Sequence, residues 1–135
     1  MISPALAREL RLAGLHWTPR PGDRFLIMSP GMEEDVFYLA DMTVEVHQFV
    51  EGPVIGFNGT VEWALDSVDL DRALWLPRED QLRKALGEAF VRLERDGDDY
   101  VVVTREGGRE HREADPDPEQ AYGRALLAAL VVRSR

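Results

Sequence analysis

The sequence predicts an α+β fold in one domain, residues 1–135: a mostly antiparallel sheet of about six or seven short strands, with three helices packed against it. Three observations carry this reading. Turn-forming groups (Ser29-Pro30-Gly31, Glu51-Gly52-Pro53, Asn58-Gly59, Gly107-Gly108) recur at short intervals between apolar or β-branched runs. One long stretch, Leu82 to Leu93, carries apolar residues at helical spacing. A final alanine-leucine segment follows a strong helix-opening signal at Asp115 to Gln120. Strands joined by tight turns pair antiparallel, whereas parallel pairing needs long crossovers.

At the amino end, Ser3 is suited to N-cap a helix and Pro4 to occupy its first position. Leu6, Leu10 and Ala13 then recur at helical spacing, and Gly14 can close the segment. Pro19 to Asp23 forces a turn. Arg24 to Met28 and Val36 to Ala40 read as strands, separated by Ser29-Pro30-Gly31 and the acidic Glu33-Glu34-Asp35. Thr43 to Val50 sets Val44 and Val46 against Glu45 and His47, the alternation of a half-buried strand. Glu51-Gly52-Pro53 turns the chain into a strand from Val54 to Phe57. Asn58-Gly59 then predicts a hairpin into Thr60 to Leu65, with Val61, Trp63 and Leu65 on its apolar face.

Asp66 to Asp71 reads as an acidic connection, and Ala73 to Leu76 ends at Pro77. From Arg78 the spacing of Leu82, Ala85, Leu86, Ala89, Phe90 and Leu93 predicts one amphipathic helix that Gly97 terminates. Glu79 and Asp80 occupy its first turn, where the helix dipole favours them. Tyr100 to Glu106 is a β-branched strand, turned by Gly107-Gly108 into a polar edge strand, Arg109 to Ala114. An N-cap aspartate, a first-turn proline and a capping-box Gln120 then open the last helix, with Ala121, Tyr122, Ala125, Leu126, Ala129 and Leu130 as its apolar face.

Charge excludes several functions. Against 16 basic side chains stand 25 acidic ones, a formal charge of −9 that repels phosphate backbones and anionic lipid surfaces. Neither nucleic acid nor membrane is expected as a partner. The chain has no cysteine, hence no disulfide, thiolate metal site or cysteine nucleophile. No apolar run of about 18 residues is present. The amino-terminal MISPALARELRLAG lacks the apolar core of a signal peptide, and the reading is a soluble, cytoplasmic protein.

Gly56-Phe57-Asn58-Gly59-Thr60, Glu62 to Val68 and Leu74 to Leu82 resemble a family of small uncharacterised proteins from high-GC Gram-positive bacteria. Gly22 to Phe25, Asp41 to Val46 and the alanine-leucine helix extend the likeness over most of the chain. Members often carry the label of a pilus assembly protein, transferred from a MinD-like ATPase. Such an ATPase needs a glycine-rich loop ending in lysine and Ser or Thr to cradle phosphates. The single lysine, Lys84, follows Gln81-Leu82-Arg83 with no glycine loop beside it. Nucleotide binding of that kind is excluded, and no other cofactor motif is present.

The candidate chemistry is sparse. His16, His47 and His111 are far apart and show no metal-binding spacing, so no metal site is predicted. Asp66, Asp69 and Asp71 lack the glycine of a calcium loop, and Pro77 stands where its bidentate glutamate would be. No serine has a nucleophile-elbow context. Trp63 and Trp75 flank the acidic stretch and, with Val68, are the candidate binding residues, because aromatics dominate interface energetics. The reading is a non-enzymatic binding or protein-interaction module that associates with a protein partner or with itself as a homodimer. The alternative is a small metal-dependent hydrolase using His47 with Glu45, Glu62 and Asp66.

Overall fold

A computed structural model describes residues 1–32, 35–40, 45–49, 52–56 and 67–135, with backbone alone for 45–49, 52–56 and 67–70. The fold is α+β: three helices and, among the described residues, nine strands in antiparallel ladders. The strands fall into three separate three-stranded sheets rather than one sheet of six or seven. One of these sheets, built from residues 90–115, closes locally, because its strands are consecutive in the chain and joined by two-residue turns. The chain divides into two compact units, one formed by residues 1–16 and 77–135 and the other by residues 17–76.

The first unit holds all three helices and one sheet. Helix α1 (Pro4–Leu12) is capped as its sequence requires, with the Ser3 hydroxyl accepting from the Leu6 N–H at 3.2 Å. Helix α2 (Glu79–Leu86) starts after Arg78, whose N–H donates to the Gln81 side chain at 2.9 Å. It stops at Gly87, where φ is +61°, a conformation that glycine adopts without steric penalty. The expected helix through Leu93 to Gly97 is therefore corrected. Residues Phe90–Asp96 form a strand that pairs with Asp99–Glu106, which in turn pairs with Arg109–Asp115.

A β-bulge explains why this strand mimics a helix in the sequence. Phe90 pairs with Thr104 but Arg92 with Val103, so Val91 is an extra residue. The bulge returns Phe90 and Leu93, three apart, to the same face of the sheet. That spacing continues the helical stripe of Leu82 and Leu86 by coincidence. Gly97 serves instead as the first residue of a two-residue hairpin loop between Asp96 and Asp99, with φ +62°. The Gly107-Gly108 hairpin forms as its sequence predicts, both glycines having positive φ as a type I′ turn demands.

Helix α3 (Pro118–Arg133) is the centre of this unit. It lies on the two strands Asp99–Glu106 and Arg109–Asp115, and α1 and α2 both pack on it. Ala121, Tyr122, Gly123, Ala125, Leu126 and Ala129 are buried. The Tyr122 ring packs 5.7 Å from that of Phe90. Contacts of Ser3 with Gln120 and of Leu6 with Gly123 follow one another along α3, so α1 runs beside it in the same direction.

In the second unit, strands Arg24–Ile27, Val36–Tyr38 and Ala73–Trp75 make one sheet with Arg24–Ile27 in the middle. Phe25, Ile27, Leu39 and Ala73 form its core, with Trp17, Met32 and Phe37 packed against them. Strands Glu45–Phe49, Gly52–Gly56 and Ser67–Asp69 make the other. The expected acidic connection is therefore in part a strand, followed by a 3₁₀ turn at Leu70–Arg72. Val68 and Leu70 alternate with Ser67, Asp69 and Asp71, a period-2 pattern that the acidic residues obscure. The expected Asn58-Gly59 hairpin and Thr60 to Leu65 strand lie outside the described residues.

At Gly123 the α1 segment comes close enough to α3 to leave no room for a side chain. A Cβ on Gly123 would sit 2.7 Å from Leu6 Cδ2 and 3.0 Å from Ile2 Cδ1. Gly123→Val is expected to lower the free energy of unfolding by about 1–3 kcal/mol through overpacking. In a Leu6→Ala background the same change should be milder, a coupling measurable by urea denaturation of the double-mutant cycle. Equal losses in both backgrounds would show that this close approach is not the cause.

Candidate functional site

The sequence-designated residues are only partly brought into view. His47 and Glu45 lie two apart on the strand Glu45–Phe49. The register sets His47 opposite Val54, and Val54 opposite Asp69 on the next strand. Val68 pairs with Ile55, and Ile55 with Val46. Glu62, Trp63 and Asp66 lie outside the described residues. Among the described residues, no group of three His, Asp or Glu side chains could hold a metal ion.

Trp75, the remaining candidate, sits on an edge strand opposite Phe25 and is half-buried. Its ring lies parallel to that of Trp17, with centroids 6.3 Å apart and planes at 8°. Its indole Nε1 is buried with no hydrogen-bond acceptor among the described residues. Trp17 is better supplied, because its Nε1–H donates to the Asp23 carboxylate at 2.9 Å. Asp23 is 1% exposed and also accepts from the Arg20 N–H at 3.0 Å, which locks the turn that precedes the first strand. A buried carboxylate persists only with such partners. In the sequence Asp23 reads as one more turn residue.

In the first unit the amino ends of the three helices meet. Asp117 N-caps α3 by accepting from the Glu119 N–H at 2.9 Å, and it also holds the amino group of Met1. Glu119 accepts from the Glu79 N–H of α2 at 3.3 Å. Gln120, expected to complete a capping box on its own helix, instead reaches α1. Its Oε1 accepts from the Ser3 N–H at 2.9 Å and its Nε2 donates to the Ser3 hydroxyl at 3.1 Å. Three sets of N-terminal N–H groups, each with the positive end of a helix dipole, are thus answered by shared acidic and amide side chains.

Beside this junction, α1 and α3 leave a cleft of about 400 Å³. Ala5, Leu6, Leu127 and Ala128 line its apolar part, and Glu9, Glu113 and Arg124 are among its polar groups. Arg124 pairs with Asp115 at 3.3 Å, and the His111 Nε2 lies 2.8 Å from a Glu113 oxygen. At the carboxyl ends of the same two helices, apolar side chains stand in solvent. Leu12 is 88% exposed, Val132 50% and Val131 42%.

The sheet face opposite α3 carries a ladder of ion pairs. Arg112 reaches Glu94 at 2.8 Å and Arg92 reaches Glu110 at 3.3 Å, each pair spanning the central strand. Arg92 also pairs with Glu94, and Arg105 with Glu110 at 3.5 Å. Hydrogen bonds from Arg112 and then Arg92 hold the Glu94 carboxyl below its ordinary range. Val101 and Val103 are buried beneath these pairs, since long charged side chains can cover apolar surface with their stems.

Comparison of the chain with family models, with curated proteins and with solved structures found no match. No helix among the described residues is long and apolar enough to cross a membrane.

Asp117 gives the site a pH signature. Burial pushes its carboxyl up, but hydrogen bonds from the Met1 amino group and from the Glu119 and Gln120 N–H groups outweigh it and leave the carboxyl lowered. A lowered folded pKa contributes stability above the unfolded value, and that stability is lost as pH falls through the folded one. Asparagine caps about as well as aspartate, so Asp117→Asn removes charge and little else. At 35% side-chain exposure solvent screens the pair, and the variant is expected to be less stable at pH 7 by under about 1 kcal/mol. The difference should vanish in acid, below both pKa values, when thermal unfolding is followed by circular dichroism. A gap that persists there would mean that the cap acts through geometry alone.

Proposed function

We propose that the chain is a non-enzymatic protein-interaction module working in the cytoplasm. The observation that carries this reading is the apolar end of the α1–α3 pair, where Leu12, Val131 and Val132 stand exposed on helices whose other large apolar residues are buried or half-buried. Leu12 lies at the carboxyl end of α1 and Val131 and Val132 at that of α3, and exposed apolar side chains of this size can anchor an interaction surface. Trp75, a half-buried aromatic on an edge strand of the second unit, supports the same reading. Tryptophan is enriched at interfaces because of the large apolar area that it carries. Trp63 and Val68 belong to this proposal on sequence grounds.

Two measurements test it. A photo-crosslinking amino acid at Leu12 or Val132 should give discrete adducts above the mass of the chain, whereas the same group at exposed Arg8 on α1 should not. Thermal shift against divalent metals, nucleotides and metabolites should give no change in Tm, because only a ligand that binds the folded state raises it. Uniform labelling at all three positions would sink the interaction reading. A metal-dependent rise in Tm would point instead to His47 and Glu45, two apart on their strand.

A further inference from the structure

We propose that the free edge of strand Arg109–Asp115 docks against the same strand of a second copy of this chain, joining two three-stranded sheets into one continuous antiparallel sheet. The proposal rests on the interaction reading above and names the partner. Among the described residues this strand pairs on one side only, with Asp99–Glu106. Arg109, Glu110, His111, Arg112 and Ala114 are all exposed. An edge of this kind presents unpaired N–H and C=O groups, which proteins commonly guard with charged side chains. Here the guard is self-complementary.

Two independent constraints select one register. The two-residue turn Gly107-Gly108 closes on the pair Glu106 and Arg109. Hydrogen bonding to the neighbouring strand therefore uses Arg109, His111, Glu113 and Asp115, and alternation turns the N–H and C=O groups of Glu110 and Arg112 to the free edge. A symmetric ladder forms only when these outward residues face each other. The second constraint is charge. Centred on His111, the segment Arg-Glu-His-Arg-Glu reads with opposite signs in reverse. Glu110 then meets the partner's Arg112 in a hydrogen-bonded pair, and Arg109 meets the partner's Glu113. Both pairs occur twice by the two-fold symmetry that an isologous contact requires.

Neighbouring registers fail on charge. Centring on Glu110 sets it against the partner's Glu110, and centring on Arg112 sets it against the partner's Arg112. Directly opposed like charges destabilise a strand pair, and opposed unlike charges stabilise it. The intrachain pairs Arg92–Glu110 and Arg112–Glu94 already run along the same face. The Glu110 and Arg112 pairs would extend that ladder from one protomer into the next. Cross-strand hydrogen bonds, opposite charges and an existing ladder all ask for the same occupant, a second copy.

Charge-complementary variants of the full chain test this. Sedimentation velocity should show a concentration-dependent dimer for the wild type. Arg109→Glu and Glu113→Arg should each weaken it at least about tenfold, because each places like charges opposite one another. Mixed in equal amounts, the two variants should form a one-to-one heterodimer, in which positions 109 and 113 again meet with opposite charge. Misfolding of either variant could not produce that rescue. In the dimer, the amide protons of Glu110 and Arg112 should exchange more slowly than in the monomer. A wild type that stays monomeric at every concentration, or variants that dimerise as well as it does, would overturn the proposal. The second result would move self-association to another surface and leave the interaction reading standing. Adducts at Leu12 from a monomeric chain would likewise spare that reading, whereas a monomer without them would remove both.

Discussion

One constraint organises the helical unit: α3 is apolar over more than one face and must be covered from several sides. Ala121, Tyr122, Gly123, Ala125, Leu126 and Ala129 are buried together, and no single flat surface can bury them all. The sheet takes one side, while α1 and α2 take others. Covering a helix from several directions requires close approach, and small residues permit it. Gly123 is the clearest case, since Leu6 and Ile2 of the α1 segment occupy the space where its side chain would be. Removing apolar surface from water at about 25 cal/mol per Å² makes this arrangement the main favourable term in the unit.

Gathering three helices this way brings their amino ends together, an electrostatic problem that the acidic residues resolve. Asp117, Glu119 and Gln120 answer N–H groups from α1, α2 and α3. Some of the chain's excess negative charge therefore lies where helix dipoles stabilise it. The other side of the sheet is balanced differently. Arginines and glutamates alternate across the central strand in ion pairs, each weak at an exposed position, yet together covering Val101 and Val103. The overall charge of −9 is thus a poor guide to any one surface.

Much of this was legible residue by residue. Ser3-Pro4, Asp117-Pro118, Gly107-Gly108 and the break before Arg78 all encode their conformation locally, through caps, fixed φ or positive φ. The failures share a cause as well. Phe90 and Leu93 read as helix because a bulge gives three-residue spacing on one sheet face, and Gly87, the true stop, resembles any mid-helix glycine until its φ is known. Ser67–Asp69 read as a loop because its acidic residues outweighed its alternation. Of the candidate site, the sequence singled out Trp75 but not its neighbour Trp17, nor the buried Asp23 that accepts the Trp17 indole N–H. Burial of a carboxylate depends on what folds over it.

The sequence by itself determined the class of fold, the antiparallel pairing, the number of helices, and the turns and caps that start most elements. Those are short-range properties, set by backbone sterics and by side chains reaching a few residues along the chain. Only the tertiary structure decided how the strands divide among three sheets, where α2 ends, and which helix Gln120 serves. It also decided which apolar residues stay outside. Each depends on contacts between residues distant in sequence, such as Ser3 and Gln120. Local propensity offers several acceptable partners for such groups, and the packing of the whole core selects one.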